Sequence, residues 1–331
     1  LQKVDLAVPD SRREDLAGWV AEQLGQQLPM QPASSDASFR RYFRIVCADR
    51  TLVAMDAPPP GENCRPFVAV AELFAEAGVN VPAILASDIE RGFVLLEDLG
   101  HKTYLDVLDP GNAGELFADA IAALLKIQKA SHPGILPEYD VDLLRRELDL
   151  FPQWYLEREL GWTIDEALRS ELDVLFELLI QSAMAQGRVY VHRDYMPRNL
   201  MLSQPNPGVI DFQDAVYGPI SYDPVCLFKD AFISWPEQQV VTWLEQYWRG
   251  AAAAGLPVPA DFSQFYRDCD LMGVQRHLKV IGIFARICHR DAKPVYLKDV
   301  PRFLDYLRGA AARNPELYPL QQLLDRLEPV L

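Results

Sequence analysis

An apolar, β-branched run, Val189-Tyr190-Val191, leads directly into His192-Arg193-Asp194 and constrains this chain more than any other stretch of it. Asn199 stands five residues past the aspartate, followed by a second apolar run, Leu200-Met201-Leu202. A third, Gly208-Val209-Ile210, ends in Asp211-Phe212. The apolar runs predict three short strands, with the polar residues at their mouths. Two carboxylates and an amide so placed are a minimal apparatus for holding Mg²⁺ and a phosphate donor beside a hydroxyl. Hard cations prefer oxygen ligands, and phosphoryl transfer demands alignment and charge neutralisation more than covalent help. Each residue alone reads as a turn or cap residue; the ordered triple carries the inference.

Bulk properties narrow the setting. At 331 residues, half of them hydrophobic, the chain can bury one large core or two lobes. A net charge of −15 without any basic stripe argues against a nucleic-acid partner. The five cysteines form no Cys-x-x-Cys pair and are odd in number, which favours free thiols in a reducing cytoplasm. No apolar stretch reaches membrane-spanning length, and the charged N-terminal segment lacks the apolar core of a secretory signal. The expectation is a cytoplasmic protein with no membrane partner and no evident obligate protein partner.

Periodicity sets the organisation. Ser11-Arg12-Arg13-Glu14 has the capping-box pattern and predicts a helix over Ser11–Leu24 with Ser11 as its cap. Phe39–Ile45 and Thr51–Met55 read as a hairpin, and Phe67, Val70, Ala71 and Phe74 as a helical stripe ending near Gly78. Pro82–Ala86 and Gly92–Leu96 read as two further strands. From about Thr103 the pattern turns helical, with later helical segments around Glu237–Ala253, Phe262–Arg290 and Val300–Leu327. The expected fold class is α+β, with a small strand-rich lobe over residues 1–97 and a larger, mainly helical lobe over residues 98–331. The hinge is expected near Glu97–Gly100.

Roles follow from chemistry. Asp194 is the candidate catalytic base, because a carboxylate accepts the hydroxyl hydrogen bond and can take its proton late in the reaction. Asn199 and Asp211 are the candidate Mg²⁺ ligands. His192 suits loop packing better than proton transfer. Arg193 can pair with a carboxylate such as Asp223 to brace the loop.

These motifs, with Gly218-Pro219 and Asp223-Pro224 downstream, resemble the aminoglycoside phosphotransferase family. The resemblance spans nearly the whole chain and implies a bilobal, protein-kinase-like fold with ATP as phosphate donor. It implies a phosphate-covering loop at Ser34–Ser38, with Ser34, Ser35 and Ser38 as candidate contacts. It also implies adenine recognition at the hinge by Glu97, Asp98 and Leu99, through backbone groups. One family feature is missing. The strand lysine's place is filled by Val53-Ala54-Met55 and then Asp56, and no lysine occurs between Lys3 and Lys102. Arg41 or Arg44 is the natural substitute charge. Strand alternation puts them on opposite faces, and the sequence does not say which face meets nucleotide.

The segments Ser34–Arg44, Leu52–Pro58 and Leu95–Gly100 are similar to the cell-wall-recycling kinases that phosphorylate the anomeric hydroxyl of N-acetylmuramate and N-acetylglucosamine. The expected partner is therefore a small amino-sugar substrate. Candidate acceptor-side contacts are Asp214 and Tyr217, just after the metal aspartate, and Arg276 and His277 on the late helix. Alternatives are a kinase for another small hydroxyl compound such as an aminoglycoside, or a nucleotide-binding pseudokinase, which only the missing lysine supports. A protein kinase is disfavoured, because the short stretch from Asp211 to Asp223-Pro224 leaves no room for an extended activation segment.

Overall fold

The computed structural model describes residues 10–34 and 40–327 and divides the chain into two compact units. The first unit runs to His101 and also includes Leu202–Gln213; the second comprises Lys102–Met201 and the chain from Asp214 onward. The segment carrying Asp211 is thus separated in sequence from the unit to which it belongs.

The first unit opens with α1 (Ser11–Leu24), capped by Asp10, whose carboxylate accepts the Arg13 N–H at 3.1 Å. Ser11 is the first helical residue and not the cap. An aspartate one position earlier satisfies an orphan donor of the first turn and adds negative charge at the positive end of the helix. Next come β1 (Met30–Ser34), β2 (Arg41–Val46), β3 (Thr51–Asp56), α2 (Arg65–Glu76), β4 (Ile84–Asp88) and β5 (Phe93–Glu97). The strands form one antiparallel sheet in the order β1-β2-β3-β5-β4. β2 and β3 are the expected hairpin, with Arg41 opposite Asp56 and Arg44 opposite Val53. β1 has no sequence signature. It contains Pro32, which a sheet accepts there because β1 is an edge strand.

Alternation then sorts the sheet. Phe43, Ile45, Leu52, Ala54, Phe93 and Leu95 join Leu16, Trp19 and Val20 of α1 in one buried cluster. Full burial of a leucine or valine contributes about 1.5–3 kcal/mol, so a few such residues fasten α1 to the sheet. Tyr42, Arg44, Val53, Met55, Val94 and Leu96 consequently lie on the face away from α1. Phe212 secures its segment within this unit, its ring centroid 4.9 Å from Phe67 and 5.8 Å from Phe74 of α2. The Asn80 carbonyl accepts the Val209 N–H at 2.7 Å, and the Asn80 amide donates to the Ser203 hydroxyl at 3.0 Å.

The second unit contains α3 (Tyr104–Val107), α4 (Ala113–Lys129), α5 (Val141–Leu148), a π-helical segment (Phe151–Glu159) and α6 (Glu166–Ala185). β6 (Arg188–Val191) and β7 (Leu200–Met201) follow, with β8 (Gly208–Val209) lying in the first unit. The chain continues with β9 (Val216–Pro219), α7 (Tyr222–Phe228), α8 (Glu237–Ala253), α9 (Phe262–Asp291), α10 (Val300–Arg313) and α11 (Tyr318–Leu327). β9, a strand beyond the three expected, pairs antiparallel with β6. The helical stretch expected over residues 300–327 is two helices, because Pro315 has no N–H to continue the ladder.

α9 is the spine of this unit and packs against the π-helical segment and α5, α6, α7, α8 and α10. It is covered on nearly every side, so its polar residues Gln275, Arg276, His277 and Lys279 are buried. No helix among the described residues is long and apolar enough to cross a membrane, and all five cysteines are free thiols. Along α9 the tightest glycine is Gly282, where an added Cβ would lie 2.4 Å from the backbone carbon of Leu150. Gly282→Ala should therefore destabilise the protein by about 1–3 kcal/mol through overpacking. Urea unfolding measures this; an unchanged midpoint would show that the helices part without cost.

Candidate active site

The turn after β6 is fixed from the start of α7. Asp223 Oδ2 accepts the His192 N–H at 2.7 Å, and its Oδ1 accepts the Arg193 N–H at 3.0 Å. Two consecutive peptide planes are thereby set by one fully buried carboxyl. Burial lifts that carboxyl to about 7, against the two N–H bonds that favour its charge. The expected pairing of the Arg193 guanidinium with Asp223 does not form, because Asp223 is taken by the backbone. The guanidinium instead reaches Glu147 on α5. Glu147 also receives Lys279 Nζ at 2.7 Å, the Gln275 amide at 3.1 Å and the Tyr139 hydroxyl. Burial pushes the Glu147 carboxyl up, but the Lys279 and Arg193 charges outweigh it and hold the group at about 2.

Arg193 has φ 74°, in the left-handed region where a side chain costs about 1–2 kcal/mol relative to the ordinary helical region. His192 is buried, edge-on to Tyr195 at 5.5 Å, and its Nδ1 lies 3.3 Å from the Asp194 N–H. Tyr195 in turn donates to the Ala120 carbonyl at 2.7 Å. The residues on both sides of Asp194 are thus anchored, while Asp194 itself is half-buried. Asn199 closes the loop, its Nδ2 donating to the Asp194 carbonyl at 2.9 Å. That bond commits the amide nitrogen, so the ligand atom Asn199 can offer is oxygen.

In the first unit, Asp211 follows β8 with φ 63°, a conformation aspartate tolerates better than most residues. Gln213 Nε2 donates to its Oδ1 at 2.9 Å and orients the carboxylate. An amide oxygen and a carboxylate are the donor chemistry that Mg²⁺ prefers, so these residue types fit that ion.

The nucleotide candidates divide by face. Ser35 and Ser38 lie outside the described residues, and Ser34 ends β1 with its backbone opposite Tyr42. Arg41 shares the α1 side of the sheet with Asp56, which it contacts at 2.6 Å, and it also pairs with Asp10. Arg44 is on the other face. Its Nε and Nη2 reach Asp98 at 2.6 and 3.0 Å, and Nη2 also donates to the Gly100 carbonyl at 2.8 Å. Burial raises the Asp98 carboxyl, but hydrogen bonds from Arg44, Thr51 and Gly100 prevail and hold it below the usual carboxylate value. Each arginine is matched by carboxylate within its own unit. Met55, at the lysine's expected place, is buried on the Arg44 face. Glu97 is exposed and its N–H donates to the Ala83 carbonyl at 2.9 Å, while Leu99 is half-buried.

The acceptor candidates differ in exposure. Asp214 is exposed, with its carbonyl 3.4 Å from Arg193 Nη1. Tyr217 is half-buried on β9, with the Arg188 guanidinium 5.3 Å above its ring. Arg276 is 2% exposed, and its Nε and Nη1 have no hydrogen-bond partner among the described residues. Burial opposes its charge, but the nearby Asp230 and Asp194 carboxylates favour it and the guanidinium stays charged. His277 stacks on Tyr306 at 5.0 Å and lies 3.4 Å from the Lys229 carbonyl; burial drives its pKa well down, which marks a core residue. Glu147 gave no sequence signal, since Arg145-Arg146-Glu147 reads as a solvated helix face.

Residues 29–262 match the family described as the Phosphotransferase enzyme family. The N-acetylmuramate/N-acetylglucosamine kinase of Pseudomonas aeruginosa is 59% identical over 329 residues, covering 96% of this chain and 97% of that protein. The kinase of the same description from Neisseria meningitidis serogroup B is 48% identical over 300 residues, 89% of each chain. Among solved structures, choline kinase LicA from Streptococcus pneumoniae superposes with a TM-score of 0.64 at 15% identity, covering 90% of this chain and 99% of that one. A likeness at such low identity speaks to the fold, which is the kinase-like α+β fold the motifs implied. With the match over residues 29–262 and the two high-identity relatives, the chain belongs to the phosphotransferase enzyme family.

Proposed function

We propose that this chain is an ATP- and Mg²⁺-dependent kinase acting on the anomeric C1 hydroxyl of N-acetylmuramate and N-acetylglucosamine. The products are the sugar 1-phosphates, and the reaction serves cytoplasmic peptidoglycan recycling. The observation that carries this reading is the 59% identity, over 96% of the chain, to a kinase named for both sugars. The free thiols of all five cysteines suit a reducing compartment.

In this reading Asp194 accepts the hydrogen bond of the C1 hydroxyl and takes its proton as the bond to phosphorus forms. An anomeric hydroxyl is more acidic than an ordinary alcohol, so an unexceptional carboxylate suffices. Asp223 and the Asn199–Asp194 bond keep that carboxylate's backbone from moving, which is what alignment-limited catalysis requires. Asn199 and Asp211 are the residues that would hold Mg²⁺, and the ion would neutralise charge on the phosphates. Ser34, Ser35 and Ser38 are assigned to the phosphates, and the backbone of Glu97, Asp98 and Leu99 to adenine.

Because Arg44 is spent on Asp98 and Gly100, we assign it to fastening the Glu97–Gly100 segment and not to direct phosphate contact. Arg41, matched by two carboxylates on the α1 face, receives a structural role. Exposed Asp214 and half-buried Tyr217 are kept as sugar contacts; Arg276 acts through its buried charge, and His277 is left to the core.

Coupled ADP release over a panel of sugars, aminoglycosides and amino alcohols tests the substrate. Turnover is expected with the two N-acetylated amino sugars and not with aminoglycosides. Strong turnover with an aminoglycoside, or none with any acceptor, would overturn the assignment. Asp194→Asn should lower kcat by about 10²–10⁴-fold while ATP binding by calorimetry is retained. Near-native turnover in that variant would remove Asp194 from its role.

A further inference from the structure

We propose that Arg193 is a positioning residue for phosphoryl transfer, holding the Asp194 loop through its ion pair with Glu147. The proposal rests on the reading of Asp194 as the catalytic carboxylate. Its starting point is a mismatch between backbone and side chain. At φ 74° the position favours glycine, yet it carries a long cationic side chain. The backbone does not need that side chain, since the Arg193 N–H is already held by Asp223. What the side chain does is therefore a separate question.

The guanidinium turns away from the loop and enters a buried cluster. Glu147 Oε1 takes Arg193 and Lys279, and its Oε2 takes Tyr139 and Gln275. Four donors saturate this carboxylate, so it has little freedom to shift. Lys279 Nζ also reaches the Tyr222 hydroxyl at 3.0 Å. Tyr222 immediately precedes Asp223, the residue that binds the Arg193 N–H. A closed circuit results: Arg193 side chain, Glu147, Lys279, Tyr222, Asp223 and back to the Arg193 backbone. It ties the loop to α5, α7 and α9, and the stretch of α9 from Gln275 to Lys279 is buried throughout. The Arg193 carbonyl is also approached, by Cys226 Sγ at 3.6 Å. Clamped at its N–H, its carbonyl and its guanidinium, Arg193 leaves the next residue, Asp194, little room to drift.

Small displacements of an aligned group are enough to cost roughly 10²-fold in rate, so loosening this circuit should appear in kcat before it appears in binding. Arg193→Gly suits the backbone conformation and deletes only the side chain. Its thermal midpoint should stay near or above that of the parent, kcat should fall at least about tenfold, and KM for ATP should change less than about twofold. Glu147→Gln preserves shape but strips the counter-charge from Arg193 and Lys279, and it should lower kcat in the same way. The double variant should lose no more than the worse single variant, the mark of two residues acting as one unit.

A role confined to stability would instead lower the thermal midpoint and leave kcat of the folded enzyme unchanged, which overturns the proposal. If Arg193→Gly fails to fold, Glu147→Gln decides alone, and a kcat within twofold of the parent refutes the idea. Loss of activity in Asp194→Asn combined with full activity in Arg193→Gly would reject the positioning role only. Full activity in Asp194→Asn would reject the reading beneath it.

Discussion

The Asp223 carboxyl, receiving the His192 and Arg193 N–H groups together, is the interaction on which the turn leading into Asp194 depends. A strand end is normally a frayed place, with donors left to water. Here two of those donors are consumed by one buried side chain at the start of α7. A buried N–H left unpaired costs about 1–3 kcal/mol, so this arrangement defines one conformation and penalises its neighbours. The clasp lies away from water, Asp223 being fully buried, and that burial lifts its carboxyl to about 7. Everything proposed for Asp194 presupposes this fixed backbone.

The first unit addresses a different problem, the absence of a lysine. Its two candidate arginines are on opposite faces of the sheet, and both are matched by carboxylates. Arg44 and Asp98 form a two-point contact between β2 and the segment after β5. Such fork-to-carboxylate contacts give geometric definition that a lysine ammonium does not. The consequence is a segment from Glu97 to Gly100 whose backbone groups are held in place, the quality a nucleotide-reading backbone needs. The buried thioether of Met55 leaves no charge where the lysine would stand.

How much of this was legible in the sequence follows from the range of the interactions involved. α1, α2 and the β2–β3 hairpin are written in local periodicity, so their existence and type could be read directly, though the cap of α1 is Asp10 and not Ser11. β1 escaped because proline in Gln31-Pro32-Ala33 signals a loop unless the strand's edge position is known. Arg44 could be singled out as a cation, but its partner lies 54 residues away and no local pattern announces it. Glu147 is the clearest case of the same limit. Beside two arginines on a short helix it looks solvated, and only tertiary packing places Arg193, Lys279, Tyr139 and Gln275 around it. The polar run on α9 misled in the opposite sense: His277 looked like a pocket residue because a helix buried on all sides is not expected to carry so many polar groups. The Asp194, Asn199 and Asp211 pattern was legible because its spacing is short and local.

The central claim is that this loop delivers phosphate to an anomeric oxygen. Phosphorus–proton correlation NMR of the product formed from N-acetylglucosamine and ATP examines it most directly. The account predicts a phosphorus resonance coupled to the anomeric proton of the sugar. Coupling to the C6 methylene protons instead, or ADP formation without any sugar phosphate, would contradict it.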